Sequence, residues 1–377
     1  MAEYLPQDWR DAILVGRVDL GEGPSPVLVR GGRVEDVSQQ FATVTALMDA
    51  WPSSDGPALD VQGDDLGEAD DPALAKKLLA PIDLQCVKAA GVTFAVSAVE
   101  RVIEERARGD AGAAQAIREA LRDRVGSDIR AVRPGSPDAQ KLKDALIADG
   151  LWSQYLEVAI GPDAEIFTKA AVLSAVGWGA EIGVRSDSHW NNPEPEIVLV
   201  CDRAGRAVGA SLGNDVNLRD FEGRSALLLG KAKDNNAACA IGPFIRLFDD
   251  GFTLDDVRGA EVALEIEGPD NYRLEGVSSM AQISRDPLEL VRQALSEHQY
   301  PDGFVLFLGT LFAPVQDRDV AGWGFTHKIG DLVRVSTPRL GVLENRVNTS
   351  AAAPPWRFGV GDLMRNLAGR GLIGAAR

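Results

Sequence analysis

The pattern of apolar and polar positions changes character along the chain. Residues 12–38 alternate short apolar runs with glycine-containing breaks, as in Ala12-Ile-Leu-Val-Gly16, and this pattern predicts small strands joined by tight turns. Residues 52–75 are acidic and rich in Gly and Pro, which is typical of a linker or a long surface loop. We therefore expect a small β-containing N-terminal domain over residues 1–76 and a larger domain over residues 77–377.

Helical signals dominate residues 97–150. Ser97-x-x-Glu100 has the spacing of a capping box, so a helix is predicted to begin with Ser97 as its N-cap and to continue to residue 108. Further helices are predicted over roughly residues 111–124 and from Asp138 to Asp149.

Short β-favouring runs, separated by Gly, Pro, Asp and Asn, replace the helical pattern in the second half of the chain. Strands and helices do not alternate regularly, so a doubly wound parallel sheet is not expected. The pattern predicts an α+β protein dominated by a curled, mostly antiparallel sheet with helices laid around it. The β-favouring runs cover residues 195–215, 241–248, 260–276, 303–314 and 331–348.

Composition narrows the class of protein. The formal net charge of −17 argues against nucleic acid or an anionic membrane as a partner, because both select clustered Lys and Arg. Three cysteines without a Cys-x-x-Cys pair exclude a disulfide framework or a zinc knuckle and fit a reducing cytoplasm. We expect neither a signal peptide nor a membrane span. Only three histidines are present, so neither a His-rich metal site nor a Ser-His-Asp triad is expected: His189, His298 and His327.

The most informative segment is Asn191-Asn-Pro-Glu194-Pro-Glu196, which directly precedes an apolar run. Residues two apart on a strand point to the same face, so Glu194 and Glu196 are expected side by side where the chain enters the core. Two buried carboxylates repel each other unless a cation lies between them. A strand, a turn at residues 202–205 and a return strand are expected to bring Asp215 beside the pair.

Three carboxylates with open coordination positions suit Mg²⁺, Mn²⁺ or Ca²⁺ better than zinc. Mg²⁺ is the default, because it keeps waters that a substrate can displace. The alternative is a solvated Glu-x-Glu on an exposed strand, which is common in an acidic protein. Spacing alone leaves both interpretations open.

Several motifs in a fixed order resemble the fumarylacetoacetate hydrolase superfamily over roughly residues 85–350. That superfamily shows Glu-x-Glu, then Asn-Asp-x-x-x-Arg-Asp, then a Lys nine residues before Gly-Pro. The resemblance implies a β-rich mixed sandwich-roll and a divalent cation held by Glu194, Glu196 and Asp215. The matching segments are Glu194-Pro-Glu196, Asn214-Asp215-Val-Asn-Leu-Arg219-Asp220, Lys233 before Gly242-Pro243, Phe307-Leu-Gly309-Thr310, and Gly330-Asp331-Leu-Val-Arg-Val with Gly341-Val-Leu-Glu-Asn345.

Within that superfamily the chain is most similar to the sugar-acid dehydratases. The similarity lies in Ala90-Gly-Val-Thr-Phe-Ala-Val-Ser97, the segment from Asp187 to Glu196, and Arg219-Asp-Phe-Glu-Gly223. It implies a hydro-lyase that converts 2-keto-3-deoxy-D-xylonate (a 2-dehydro-3-deoxy-pentonate) to 2-oxoglutarate semialdehyde in non-phosphorylative xylose degradation.

One departure from the hydrolases of the superfamily bears on the reaction. Those enzymes carry, in a short lid helix, a His that activates water, and Ser97 stands at that position here. A serine hydroxyl does not act as a general base near neutral pH, so hydrolysis is disfavoured. An acylpyruvate or diketo-acid C–C hydrolase, and a non-catalytic 2-oxo-acid-binding protein, stay as alternatives.

The resemblance and the expected chemistry also suggest roles for individual side chains. Lys233 is expected to place positive charge beside the metal or to carry a proton, with Lys231 as the surface lysine. Glu104 on the lid helix is expected to be the acid/base, with Glu100 as its competitor. The expected cofactor is Mg²⁺ (Mn²⁺ as the alternative), the partner is a small 2-oxo sugar acid, and the assembly is a homodimer or homotetramer. The expected substrate-binding residues are Gly309, Thr310 and Arg101, with Ser97 beside them among the catalytic set.

Overall fold

Short strands form the framework of the computed structural model, which describes residues 4–52, 59–121, 129, 132–310, 312 and 316–373. In chain order they are β1 (Leu14–Asp19), β2 (Pro24–Arg30), β3 (Arg33–Asp36), β4 (Asp64–Glu68), β5 (Cys86–Gly91), β6 (Glu165–Ala170), β7 (Glu181–Val184), β8 (Asn191–Asn192), β9 (Pro195–Cys201), β10 (Ala207–Asp215), β11 (Asn217–Leu218), β12 (Cys239–Leu247), β13 (Glu261–Glu267), β14 (Arg273–Ser279), β15 (Phe304–Phe307), β16 (Leu332–Thr337) and β17 (Gly341–Thr349).

Helices lie between and around these strands. They are α1 (Val44–Ala50), α2 (Pro72–Ala75), α3 (Ala95–Ala107), α4 (Ala111–Leu121), α5 (Pro137–Ala148), α6 (Gln154–Ile160), α7 (Arg219–Glu222), α8 (Leu229–Lys233), α9 (Leu254–Arg258), α10 (Pro287–Leu295) and α11 (Val360–Gly369), with 3₁₀ helices at Ala226–Leu228 and Met280–Gln282. Across the described ranges, no helix is both long enough and apolar enough to cross a membrane.

The strands form two large sheets. The larger has the order β4-β3-β2-β1-β12-β10-β9-β15-β5-β6, and the smaller has the order β14-β13-β16-β17-β7. The pairs are antiparallel except β15 with β5 and β17 with β7. The predicted α+β class with a mixed, mostly antiparallel sheet is confirmed.

The hairpin of β9 and β10 lies at the centre of the larger sheet, and its residues are buried on both faces apart from Ala207 at one end. Alternate side chains of β9 enter two different cores. Ile197 and Leu199 pack in a cluster that includes the smaller sheet, and Val198 and Val200 pack in a second cluster with β1 and β12. Full burial of each such side chain contributes about 1.5–3 kcal/mol, so the hairpin is held firmly from both sides.

The N-terminal strands extend the larger sheet, because β1 pairs with β12. The predicted linker over residues 52–75 is wrong in its second half. Asp64–Glu68 forms the edge strand β4 against β3, and Pro72–Ala75 forms α2. Residues 53–58 lie outside the described ranges. The domain boundary at residue 76 stays a prediction.

The start of α3 differs from the prediction. Phe94, not Ser97, is the N-cap, and the Ser97 hydroxyl donates to the Phe94 carbonyl oxygen at 2.8 Å from within the first turn. The reason is tertiary: the Thr93 hydroxyl donates to the Leu308 carbonyl and fixes the chain just before the helix. The prediction for α5 is confirmed, with Ser136 as its N-cap.

Other boundaries follow the prediction with small shifts. Helix α4 runs to Leu121, and the predicted continuation to residue 124 lies outside the described ranges. The run predicted over residues 260–276 is the hairpin of β13 and β14. The run over residues 303–314 is shorter than predicted, since β15 ends at Phe307; residues 311 and 313–315 lie outside the described part of the chain.

Candidate metal centre and active site

Three buried carboxylates meet at the open end of the central hairpin. Glu196 lies opposite Gly213, and the Asp215 amide donates to the carbonyl oxygen of Glu194 at 3.0 Å. One carboxylate oxygen from each of Glu194, Glu196 and Asp215 lies within 4.8 Å of the others. The structure thus brings together the three residues that the sequence predicted as metal ligands.

Two glycines make room for this arrangement. A Cβ atom on Gly213 would lie 2.3 Å from Cε1 of Phe307, so only glycine fits opposite Glu196. Gly309 has φ +91° and a Cβ there would lie 2.0 Å from Oγ1 of Thr93. Its amide donates to Oε2 of Glu196 at 2.6 Å. Gly309 therefore orients a predicted metal ligand through its main chain.

Two buried lysines neutralise part of this charge. The last residue of α8, Lys233, places Nζ 2.5 Å from Oε2 of Glu194 and 3.2 Å from Oδ2 of Asp215. Lys169 on β6 places Nζ 2.9 Å from Oδ1 of Asp215, and it also donates to the carbonyls of Lys233 and Val216. An ammonium group has three donors, so Lys169 has an acceptor for each. Lys231 is exposed, as predicted for the surface lysine.

Arginines extend the ion pairs into the helices. Arg101 on α3 places Nη2 2.6 Å from Oε1 of Glu194, and its Nη1 lies 2.7 Å from both Glu104 and Glu222. Glu104 also accepts from Nε of Arg219 at 2.6 Å. Glu100, in turn, pairs with Arg219 and with Arg118. Cations and carboxylates therefore alternate from α4 through α3 to the hairpin.

The charges of this cluster do not balance. Five cationic side chains face seven carboxylates, and within the described ranges Glu165 and Glu196 have no cationic partner within 4.0 Å. One divalent cation supplies the missing two charges, and carboxylate oxygen is the ligand that Mg²⁺ and Mn²⁺ prefer. The residues therefore fit such an ion. The charged cluster comprises Arg101, Arg118, Lys169, Arg219 and Lys233 with Glu100, Glu104, Glu165, Glu194, Glu196, Asp215 and Glu222.

The pKa values of two hairpin carboxyls move in opposite directions. Burial, reinforced by the charges of Asp215 and Glu194, raises the pKa of Glu196 well above its ordinary value. Burial acts on Asp215 too, but Lys169 and Lys233 outweigh it and lower the pKa of that carboxyl. Glu196 is thus the carboxyl that gains most from an added cation.

The same contrast separates the carboxyls around the hairpin. Burial raises the pKa of Glu222 to about 7 even beside Arg101, and burial also raises the pKa of Glu165. Arg101 and Arg219 outweigh burial at Glu104 and lower its pKa. Glu165 and Glu222 therefore hold protons more readily than Glu104 does.

A small cavity of about 20 Å³ opens between the hairpin and α3, with room for roughly one water-sized group. Of the predicted site residues, Glu100 and Glu104 do not reach it, because their carboxylates face arginines. No histidine is found among the described residues of its wall. The lining comprises Ala90, Gly91, Val92, Ser97, Arg101, Glu165, Phe167, Glu194, Glu196, Asp215, Glu222, Lys233, Gly309 and Thr310.

The sequence predictions missed Glu165, Lys169 and Glu222. The first two lie four residues apart on β6, on the same face as Phe167, which also lines the cavity. A charged residue at each end of a short alternating strand was the available signal. Glu222 had only a motif context, Arg219-Asp-Phe-Glu-Gly223.

Comparisons with known proteins agree with this geometry. Residues 143–348 match the family described as fumarylacetoacetate (FAA) hydrolase C-terminal. A probable 2-keto-3-deoxyxylonate dehydratase of Haloferax volcanii is 32% identical over 195 residues, which are 52% of this chain and 64% of that protein. A 2-dehydro-3-deoxy-D-arabinonate dehydratase of Saccharolobus solfataricus is 31% identical over 179 residues, 48% of this chain and 57% of that protein. The match thus spans less than two thirds of either relative.

A solved structure has the same fold. It is a 2-keto-3-deoxy-D-arabinonate dehydratase complexed with magnesium and 2,5-dioxopentanoate, with a TM-score of 0.63 and 22% identity. The superposition covers 89% of this chain and 99% of that one. The predicted sandwich-roll architecture is therefore confirmed.

Proposed function

The chain belongs to the fumarylacetoacetate hydrolase family, and from that premise we propose that it is a divalent-metal-dependent hydro-lyase acting on a 2-keto-3-deoxy-pentonate. The proposed substrate is 2-keto-3-deoxy-D-xylonate, and the product is 2-oxoglutarate semialdehyde, which is 2,5-dioxopentanoate. The observation that carries the proposal is the charged cluster, in which buried carboxylates that lack two positive charges stand beside carboxyls with raised pKa. The names of both curated relatives support the same reaction.

Glu194, Glu196 and Asp215 would hold the metal. A divalent cation supplies Lewis-acid stabilisation for the negative charge that develops on a 2-oxo group when a neighbouring proton leaves. The magnesium complex of the solved relative supports Mg²⁺ as the cation, with Mn²⁺ as the alternative.

Dehydration also requires a base for the C3 proton and an acid for the departing C4 hydroxyl. Glu165 and Glu222 line the cavity and have raised pKa values, so they are the carboxyls of this site best suited to exchange protons near neutral pH. We propose these two in place of Glu104 and Glu100. Glu104 has a lowered pKa and faces two arginines, so we give it a positioning role.

Lys233 has a fixed charge in this proposal. Burial alone lowers the pKa of a lysine, but Asp215 and Glu194 outweigh burial and raise the pKa of Lys233. A lysine held in its charged form stabilises negative charge on a substrate and does not accept a proton. Arg101, Thr310 and the main chain at Gly309 lie on the cavity wall, where they are proposed to bind the substrate carboxylate.

The same wall disfavours C–C hydrolysis. Hydrolysis needs a base that generates hydroxide, and the position of the superfamily's histidine is taken by Ser97, whose hydroxyl donates to a main-chain carbonyl. His189 and His298 are exposed, and His327 is buried against Asp331. A cytoplasmic location and a homodimeric or homotetrameric assembly stay predictions.

The test is an assay of the purified protein with Mg²⁺, 2-keto-3-deoxy-D-xylonate and, separately, an acylpyruvate. We expect release of 2-oxoglutarate semialdehyde from the pentonate and little pyruvate from the acylpyruvate, with both signals lost after chelation. Faster pyruvate release would establish the hydrolase alternative. Binding of a 2-oxo acid without turnover of either substrate would establish a non-catalytic binder.

A further inference from the structure

We propose that Arg101 competes with the divalent cation for Glu194, so that metal must bind before the 2-oxo acid can use Arg101. The inference rests on the metal site of the proposed function and deepens it by assigning an order of binding. It makes Arg101 a positioning residue for the metal as well as a partner of the substrate.

Both carboxylate oxygens of Glu194 are engaged by protein cations. Nη2 of Arg101 lies 2.6 Å from Oε1, and Nζ of Lys233 lies 2.5 Å from Oε2. A Mg²⁺ ion binds carboxylate oxygen at about 2.1 Å, so an ion on Oε1 would lie within a few ångströms of the guanidinium. Two positive charges that close in a buried site repel strongly. One protein cation must therefore withdraw from Glu194.

Arg101 is the cation that can withdraw with least loss. Lys233 bridges Glu194 and Asp215 and has only 3% of its side chain exposed. Arg101 has 11% exposed, and its Nη1 keeps ion pairs with Glu104 and Glu222 after Nη2 leaves Glu194. No new buried charge is left without a partner, because the incoming metal neutralises Glu194.

The freed Nη2 would then be available to the substrate. Arg101 lines the cavity together with Ser97 and Thr310, and a guanidinium donor released there is suited to the carboxylate of a 2-oxo acid. Before metal arrives, that donor is held by Glu194. Metal binding thus prepares the anion site, and the acid binds second.

Calorimetric titration of chelator-treated protein with Mn²⁺ tests the competition. Loss of a charge-assisted ion pair from the competing state should make Mn²⁺ bind about 10- to 100-fold more tightly to Arg101→Gln than to wild type. Arg101→Lys retains the charge and should stay closer to wild type. The matched control is Arg106→Gln on the exposed face of the same helix, which should change the Kd less than about twofold.

A second measurement covers the case in which Arg101→Gln does not fold. In wild type, Mg²⁺ alone should speed hydrogen exchange over Ala95–Ala107, and added pyruvate should slow it again. Slower exchange with Mg²⁺ alone, or an equal or weaker Mn²⁺ affinity in folded Arg101→Gln, would overturn the inference and leave the proposed function standing. Absence of Mn²⁺ binding to wild type would instead overturn the metal dependence of the proposed function.

Discussion

Lys169 and Asp215 form an ion pair that is buried on both sides. Nζ lies 2.9 Å from Oδ1, and the two side chains are 0% and 3% exposed. The same ammonium donates to the main-chain carbonyl of Lys233, so β6 holds a predicted metal ligand and the adjoining lysine in a fixed relation. A single side chain outside the recognised motifs thus supports two residues within them.

Lys169→Met should therefore be strongly destabilising. It keeps the volume but leaves a buried carboxylate without that partner, and removal of one member of a buried pair costs about 3–5 kcal/mol. Urea denaturation of chelator-treated protein measures this loss. Lys141→Met, whose ion pair with Asp138 is exposed, should change the free energy of unfolding by less than about 0.5 kcal/mol. Equal effects of the two substitutions would contradict the structural role of Lys169.

Glu196→Gln should separate metal binding from folding. The amide keeps the shape and can still accept from the Gly309 amide, but it lacks the charge that holds a hard cation. We expect Mg²⁺ affinity to fall at least about 100-fold, while the melting temperature of chelator-treated protein rises because carboxylate repulsion is relieved. Titration and scanning calorimetry measure the two effects. Glu261→Gln on the exposed side of β13 is the control. Wild-type affinity in Glu196→Gln would refute the metal assignment.

The stability of chelator-treated protein should fall as the pH rises from about 6.5 to about 8. Glu196 and Glu222 have raised pKa values in the folded chain, that of Glu222 to about 7, so the folded state binds more protons than the unfolded state in this range. Their stabilisation is present at the acidic end and is lost as the pH passes the folded pKa.

The choice of pH range avoids two opposing groups. Burial lowers the pKa of His327, and this group destabilises the fold only below its ordinary pKa of about 6.5. The lowered pKa of Asp215 matters only in stronger acid. Melting temperatures at four pH values provide the measurement, and Glu196→Gln should show a shallower decline. Saturating Mg²⁺ should reverse the trend, because its ligands bind deprotonated. Rising stability without metal would show that the signs are wrong.

Lys233→Met should lose far more turnover than Lys231→Met. Lys233 contacts two predicted metal ligands, whereas Lys231 is exposed. Removal of a preorganised group that stabilises developing negative charge costs about 10²–10³ in kcat. Steady-state kinetics on the pentonate, with circular dichroism to check folding, decide the point. Similar small losses in both variants would remove Lys233 from the mechanism.

Glu165→Gln and Glu104→Gln should fail in different ways. Glu165 has no cationic partner in the described cluster, so its amide variant should fold normally and lose about 10²–10⁴ in kcat if it exchanges protons. Glu104→Gln breaks buried ion pairs with Arg101 and Arg219, so we expect a large drop in the free energy of unfolding. Unchanged turnover in Glu165→Gln would return the acid/base role to Glu104.

The parts of the site that the sequence predicted depend on local geometry. The spacing of Glu194 and Glu196, followed by a turn and Asp215, is a property of one hairpin, and strand periodicity is sufficient to place it. Glu165 and Lys169 depend on which strands become neighbours and in what register, and no local pattern contains that information. The N-cap prediction at Ser97 failed for a similar reason, because a contact from Thr93 to the distant Leu308 fixes the start of α3.

All three carboxylates come from one continuous stretch, residues 194–215, whereas the groups that face the reacting end of a substrate come from α3, β6, α7 and α8. Retention of the cation and choice of reaction are therefore specified by separate parts of the chain. Substitutions at Ser97, Glu165 or Glu222 can change which bond breaks while the ion stays in place. A library restricted to those three positions would search new chemistry on a scaffold that remains loaded with metal.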